Sequence, residues 1–311
     1  MNRILLSGKN PLYRLFALIL IIIISVLIFG FLGYIGGYLI FGEKINIVVN
    51  QNASLGSEDV LILKYFQLVS HMSMFFIPAF IFMWLFYRRP VSVARSSSFP
   101  SIKQIALGLL IIILVQPLVS LVSEWNSNLH LPDSMQNLEN AIRSTEESIG
   151  RLTTAFLKTN SFIGFLYNLL LIAVIPAIGE EWLFRGVIQK ELKRWFKNAH
   201  VAIWLTGILF SLIHFQFYGF FPRIILGVLL GYLFVYSGNL WVPIAAHFLN
   251  NAMSVGAVYF FGTDITDTSQ SITENQLLNI SLAIFSTGFM LIGLRLLIKK
   301  KSERFARFKP V

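Results

Sequence analysis

Residues 15–41 read LFALILIIIISVLIFGFLGYIGGYLIF, 27 consecutive positions without a charged side chain. About 20 apolar residues suffice to cross the hydrocarbon of a bilayer as a helix. The apolar core of a cleavable signal peptide is only about 7–15 residues long, and no small-residue cleavage pattern stands out here. The stretch therefore reads as a first membrane helix. Further apolar runs at about 61–87, 104–123, 161–179, 199–218, 222–237, 241–262 and 277–298 predict seven more. The expected fold class is all-α: a polytopic membrane helix bundle of about eight transmembrane helices.

Composition agrees with the bilayer as solvent. Of 311 residues, 56% are hydrophobic and 13% charged, and mean hydropathy is +0.70; a soluble domain carries roughly 25% charged residues. A disordered chain is excluded and an ordinary soluble domain disfavoured. Cysteine is absent, which removes disulfides, thiol nucleophiles and thiolate metal sites. Hydrolytic chemistry would have to come from Glu, His, Asp, Ser or Asn.

The net charge of +10 raises the question of a nucleic-acid partner. The basic residues do not form one patch. Nineteen of the 25 fall in four segments: Arg3, Lys9 and Arg14; Arg88, Arg89, Arg95 and Lys103; Arg185, Lys190, Lys193, Arg194 and Lys197; and the tail from Arg295 to Lys309. The alternating segments carry Glu58, Asp59, Glu124, Asp133, Glu146, Glu147, Asp264 and Asp267. Lys and Arg collect on the cytoplasmic side of membrane proteins, so an even number of spans with both termini cytoplasmic fits. No nucleic acid is expected, and the expected location is the cell (cytoplasmic) membrane of a prokaryote. Three regions follow: 1–160, three membrane helices and an outer loop; 161–262, a four-helix core; and 263–311, the last helix and a basic tail. Within the outer loop at 124–160, Leu138, Ile142 and Ile149 recur near helical spacing. That pattern reads either as an amphipathic helix against the bundle or as a solvated connector.

Ionisable groups in membrane helices are costly and mark sites by default. The apolar runs contain Lys64, His71, Glu180, Glu181, His214, Arg223 and His247, the last followed by Asn250 and Asn251. In PAIGEEWLFRG, Pro176 and Gly179 precede the two carboxylates and can kink the helix where they arrive. Glu181 and Arg185, four apart, share a helix face as an ion pair. Glu180 points about 100° away, free to face the bundle centre. His247 and Asn251 in HFLNN share another face, and His214 closes FSLIH. Three helices can thus bring Glu180, His214, and His247 with Asn251 to one polar pocket. Such a set suits hydrolysis: a carboxylate to deprotonate water, imidazoles to hold a metal or the water, and an amide to meet the oxyanion. HExxH and GxSxG are absent, and Ser211 and Ser254 have no evident base.

The segments EEWLFR, FSLIH and HFLNN, in this order, resemble the three motifs of the intramembrane endopeptidase family that includes the type II CAAX prenyl endopeptidases and the bacteriocin-processing and immunity proteins. The resemblance covers about residues 161–262. It implies a membrane-embedded protease in which Glu180 activates water, Glu181 and Arg185 support it, and Phe210 accompanies His214. In the same reading His214 and His247 face the water or a metal, and Asn251 stabilises the oxyanion. It leaves two cofactor readings open: Zn2+ held by His214, His247 and Glu180, or metal-independent hydrolysis. It implies as partners the bilayer and a membrane-associated protein or peptide substrate, CAAX-like or other. The cut would lie near the cytoplasmic face, because Glu180 is expected at the cytoplasmic end of the fourth helix. His214, 15 residues or about 22 Å into the fifth helix, fits that depth only if the helix starts later or tilts. A transporter or a non-catalytic scaffold could carry the same buried polar residues.

Overall fold

The computed structural model describes residues 10–48, 56–87, 99–262 and 275–298. Every regular element among them is helical, as expected where the backbone must satisfy its own polar groups in hydrocarbon. Helix α1 spans Pro11–Phe41. Helices α2 (Ser57–His71) and α3 (Ile77–Phe86) form one rod joined by a π-helical turn at Met72–Phe76. Helices α4 (Ile102–Leu114) and α5 (Gln116–Ser127) form the next, and α6 (Gln136–Leu157) fills the connector that follows. Helices α7 (Phe162–Asn168), α8 (Ile175–Leu183) and α9 (Gln189–Phe196) make one long rod with π turns at Leu169–Val174 and Phe184–Ile188. Helices α10 (Ala199–Leu212), α11 (Phe220–Ser237), α12 (Trp241–Phe261) and α13 (Gln276–Leu297) complete the bundle.

Six rods among the described residues are long and apolar enough to cross a membrane, against the eight expected; α10, with 14 residues, and α12, which carries His247, Asn250 and Asn251, fall outside that set. The outward faces are apolar. On α1 the buried residues are Arg14, Leu18, Ser25 and Gly37, while Leu39 is 79% exposed; on α13 Phe285 is 70% exposed. Apolar faces this extensive are stable against lipid rather than water, and the chain is an integral membrane protein. Of the basic groups used for orientation, Arg3, Lys9, Arg88, Arg89, Arg95 and those beyond residue 298 lie outside the described residues, as do Asp264 and Asp267.

Two boundaries differ from expectation in ways that matter to the site. The fourth rod does not stop at 179 but runs from Phe162 to Phe196, so Glu180 lies near its middle. Pro176 is accommodated rather than terminating the helix. Its ring offers no N–H and crowds the carbonyl four residues back; the preceding turn widens, with Ile175 N–H donating to Leu170 O, and Asn251 Nδ2 donates to Ile172 O at 3.2 Å. Pro78 is handled in the same way: Ile77 N–H donates to Met72 O, and Ser25 Oγ donates to Ser73 O at 2.6 Å. The second difference is α10, which ends at Leu212 instead of 218. Two tight turns, His214 N–H to Ser211 O at 3.2 Å and Phe215 N–H to Leu212 O at 3.1 Å, close it, and Phe215 adopts a left-handed φ of 49°. His214 therefore sits just beyond the helix rather than on it.

The connector at 124–160 is helical, but its inward face is mostly polar. Leu138 points outward, 47% exposed, while Glu139 is buried. Glu139 accepts from Leu131 N–H at 2.7 Å, Arg143 Nε at 2.9 Å and His130 at 2.9 Å. Two turns further, Glu146 Oε1 accepts from Phe217 N–H at 2.5 Å and Tyr218 N–H at 3.2 Å. Helix α6 thus braces the link between α10 and α11. Those two helices touch backbone to backbone: a Cβ on Gly207 would meet Val228 N at 3.0 Å, and one on Gly227 would meet Gly207 Cα at 3.0 Å. Small residues of this kind let membrane helices approach closely.

Two predictions follow from this packing. Gly207→Ala has to push α11 away and is expected to cost about 1–3 kcal/mol, the usual range for overpacking, read as a lowered midpoint in detergent unfolding. The donors around Glu139, led by the Leu131 N–H, hold its carboxyl down at about 2 from an ordinary 4.5. A depressed carboxyl pKa contributes stability that is full above about pH 4.5 and is lost as pH falls through about 2. Amide exchange at the start of α6 should therefore stay slow at pH 4 and rise towards pH 2, and Glu139→Gln should give fast exchange already at pH 7.

Candidate active site

The two glutamates occupy the segment between the π turns of the fourth rod; both meet His247, and each has a further neighbour of its own. Glu181, fully buried, accepts from Arg185 Nη1 at 2.5 Å and lies 3.0 Å from His247 Nδ1. Arg185 also donates to Gly227 O at 2.8 Å. The i,i+4 pair expected from the sequence is present, and it orients the third-motif histidine as well. Glu180, 5% exposed, turns to the other side of the helix. Its Oε2 is 3.9 Å from His247 Nε2, and its Oε1 is 3.4 Å from His71 Nε2.

Phe210 is the wedge of the group. Its ring packs edge-on to His247 at 5.8 Å, tilted against His214 at 5.1 Å, edge-on to Phe184 at 5.2 Å, and 5.1 Å beneath the Arg185 guanidinium. Its carbonyl lies 2.7 Å from His214 Nδ1. Each motif histidine therefore has Nδ1 tied, to Phe210 O in one case and to Glu181 in the other. The tie leaves Nε2 as the nitrogen free for chemistry, the arrangement by which a hydrogen bond fixes an imidazole tautomer.

The depth expected to be awkward for His214 is resolved by the hairpin of α9 and α10. Lys197 takes a left-handed φ of 54°, and Asn198 caps α10 by accepting from His200 and Val201 N–H, so the chain reverses in two residues. Glu180 is 16 residues before Phe196 and His214 is 15 residues after Ala199, about 24 and 22 Å along the two arms. The arms match in length. Helix α10 starts where the sequence indicated, and no delayed start is required.

The structure thus brings Glu180, Glu181, Arg185, Phe210, His214 and His247 together. Asn251 stands one turn beyond His247, with its amide on Ile172 O and its oxygen accepting from Asn250 at 3.3 Å. Ser211 donates to Phe220 O at 2.7 Å, a bond that ties the α10–α11 link. Lys64 is remote from the cluster: it donates to Asn168 at 2.7 Å. Arg223 donates to Gln216 on the same link. His71 was visible only as an ionisable residue in an apolar run, and no spacing rule connects it to a glutamate 109 positions later. The zinc reading needs Glu180, His214 and His247 to share one ion. Among the described residues no three His, Asp or Glu side chains are gathered into a metal shell, while Glu180 Oε2 and His247 Nε2 lie 3.9 Å apart.

Fold and cluster together define a polytopic helical membrane protein with a buried Glu–His site. Residues 162–253 match the family described as type II CAAX prenyl endopeptidase Rce1-like, and over these residues the resemblance carried by the three motifs is borne out. An uncharacterized protein of Bacillus subtilis (strain 168), YpbD, is 29% identical over 97 residues, 30% of this chain and 47% of that protein. The chain thus matches about half the length of this curated relative. No solved structure matches.

Arg185→Ala removes one partner of a buried pair and leaves Glu181 to His247 alone. Breaking such a pair typically costs about 3–5 kcal/mol. The variant is expected to lose most of its folded fraction in detergent at ambient temperature, measured by size-exclusion profile and unfolding midpoint.

Proposed function

We propose that the protein is an intramembrane endopeptidase in which Glu180 activates water against a peptide bond. The observation that carries this reading is the pairing of a buried, outward-turned Glu180 with imidazoles whose other nitrogens are already fixed. A carboxylate so held can take one proton from water while a neutral His214, its Nδ1–H on Phe210 O, accepts the second O–H at Nε2 and aims the oxygen. The water oxygen attacks the scissile carbonyl carbon, and the C=O electron pair moves to oxygen. With protons on both nitrogens, His247 donates one to Glu181 and points the other at that oxyanion. Asn251 uses one amide N–H on Ile172 O and has its second for the same purpose. As the intermediate collapses, the C–N bond breaks and the proton on Glu180 passes to the leaving nitrogen. The products are a new carboxyl terminus and a new amine.

The substrate we infer is a membrane-anchored protein or peptide cut near the cytoplasmic face, with a prenylated CAAX-like tail as the first class to test. Charge distribution supports the cell membrane of a prokaryote with both ends of the chain inside. The steps above use the side chains alone; a zinc held by Glu180, His214 and His247 is the alternative that the elemental analysis below separates from them.

Two measurements test this. Glu180→Gln should fold normally yet lose at least about 10²-fold in cleavage of a farnesylated CAAX peptide, as removal of a general base does. Unimpaired cleavage by that variant would overturn the assignment. Elemental analysis of active, detergent-purified protein should find well below one zinc per chain and activity that survives chelation. About one zinc per chain, lost in His214→Ala, would replace the metal-free scheme with a metal-held water.

A further inference from the structure

We propose that His71, on the second rod and outside the family-matched segment, is a positioning residue for Glu180. It rests on the reading of Glu180 as the base. The two carboxylate oxygens have separate imidazoles: Oε2 has His247 at 3.9 Å and Oε1 has His71 at 3.4 Å. A base must present one oxygen to water in a fixed plane, and what holds the second oxygen sets that plane. His247 is committed to Glu181 through Nδ1. His71 is the group whose free nitrogen meets Oε1.

The surroundings of His71 are built for that contact. Its ring tilts against Phe75 with centroids 5.3 Å apart, and its Nδ1 lies 3.2 Å from both the amide nitrogen and the backbone oxygen of Gln67. The pair matters because it serves either state of the ring. When His71 is neutral, the Gln67 amide donates to Nδ1, and the proton resides on Nε2, facing Glu180. When His71 is charged, Nδ1–H donates to Gln67 O and Nε2–H still faces Glu180. A donor is thus available to Oε1 in both of these states, and the carboxylate beside Nε2 favours them over the neutral Nδ1–H tautomer. The 3.4 Å separation is an ion-pair contact, longer than an ordinary hydrogen bond, and catalytic contacts are often long before substrate tightens them.

Backbone geometry brings the two rods close enough. The π turn Met72–Phe76 begins immediately after His71. Gly179, next to Glu180, receives it: a Cβ there would lie 2.5 Å from Phe76 Cε2 and 3.3 Å from Phe75 Cβ. A side chain at 179 would drive the histidine off the carboxylate.

The test uses the full chain in detergent, with the farnesylated CAAX peptide as probe. His71→Ala should lower kcat by about 10–100-fold with KM within about twofold, the penalty of a base misplaced by about 1 Å. His71→Gln, whose Nε2 can reach the same place, should recover at least a third of wild-type kcat, whereas His71→Phe, which keeps the bulk, should not. Wild-type kcat in His71→Ala while Glu180→Gln is inactive would overturn the proposal and leave the protease reading intact. A second measurement needs no substrate: ring 15N resonances of His71, assigned by its loss in His71→Gln, should shift between wild type and Glu180→Gln. Identical His71 resonances in the two would overturn the contact even if the chain cleaves no prenylated peptide, an outcome that would sink the proposed activity separately.

Discussion

The buried carboxylate of Glu181 is the constraint on which the rest of the bundle turns. A charge without water requires partners on every side. Glu181 receives both Arg185 from its own helix and His247 from α12 on Oε1, and its Oε2 is buried without a hydrogen-bond partner among the described residues. Arg185 in turn requires an acceptor, and finds Gly227 O on α11. The absence of a side chain at Gly227 allows Gly207 to touch it, which draws in α10 and with it Phe210 and His214. One ion pair therefore determines the relative placement of four rods, three of which carry catalytic candidates. Glu180 is left as the carboxylate not absorbed by this scaffold, and its contacts are imidazoles rather than guanidinium or ammonium groups.

How much of this was legible in the sequence follows from which relations are local. The Glu181–Arg185 pair could be read because a helix places residues four apart on one face. The three motifs could be read for the same reason, as each is a short spacing within one turn. His71 could not, since its link to Glu180 runs between rods and leaves no periodic trace. Of the two readings of the connector the helical one holds, with Ile142 and Ile149 half-buried but Leu138 facing outward. In the connector, backbone N–H groups of a turn needed acceptors, and Glu139 and Glu146 face inward to supply them. The apolar run places the end of the fourth rod at 179, where it gives way to two carboxylates; the helix continues to Phe196 because Glu181 is paired inside the protein.

The widened turn before a proline recurs. Pro78 and Pro176 each follow an isoleucine, each is preceded by a π turn, and in each case a neighbouring helix lends a donor to a carbonyl of that turn, Ser25 to Ser73 O five residues before Pro78 and Asn251 to Ile172 O four before Pro176. π turns concentrate at functional sites because they rotate the following residues relative to those before. Here the two rods so modified are the ones that carry His71 and Glu180, and they meet at Gly179. Asn251 consequently has a structural task as well as the chemical one inferred from its motif.

Depth then constrains which peptide bonds could react. His247 is six residues from Trp241, about 9 Å along α12, whereas the tip of the α9–α10 hairpin lies more than about 20 Å from Glu180. The tip carries Lys193, Arg194 and Lys197, charges that belong at a water interface. The site is therefore embedded but within two turns of the end of α12. Attack on a carbonyl requires that it be released from helical hydrogen bonding, which in hydrocarbon leaves a backbone N–H and C=O unpaired at several kcal/mol each. That cost is smallest at a helix terminus or in an extended tail held by a lipid. A bond deep within a transmembrane helix would have to meet it in full, which is the physical reason we put a lipid-anchored tail first among the substrates to test.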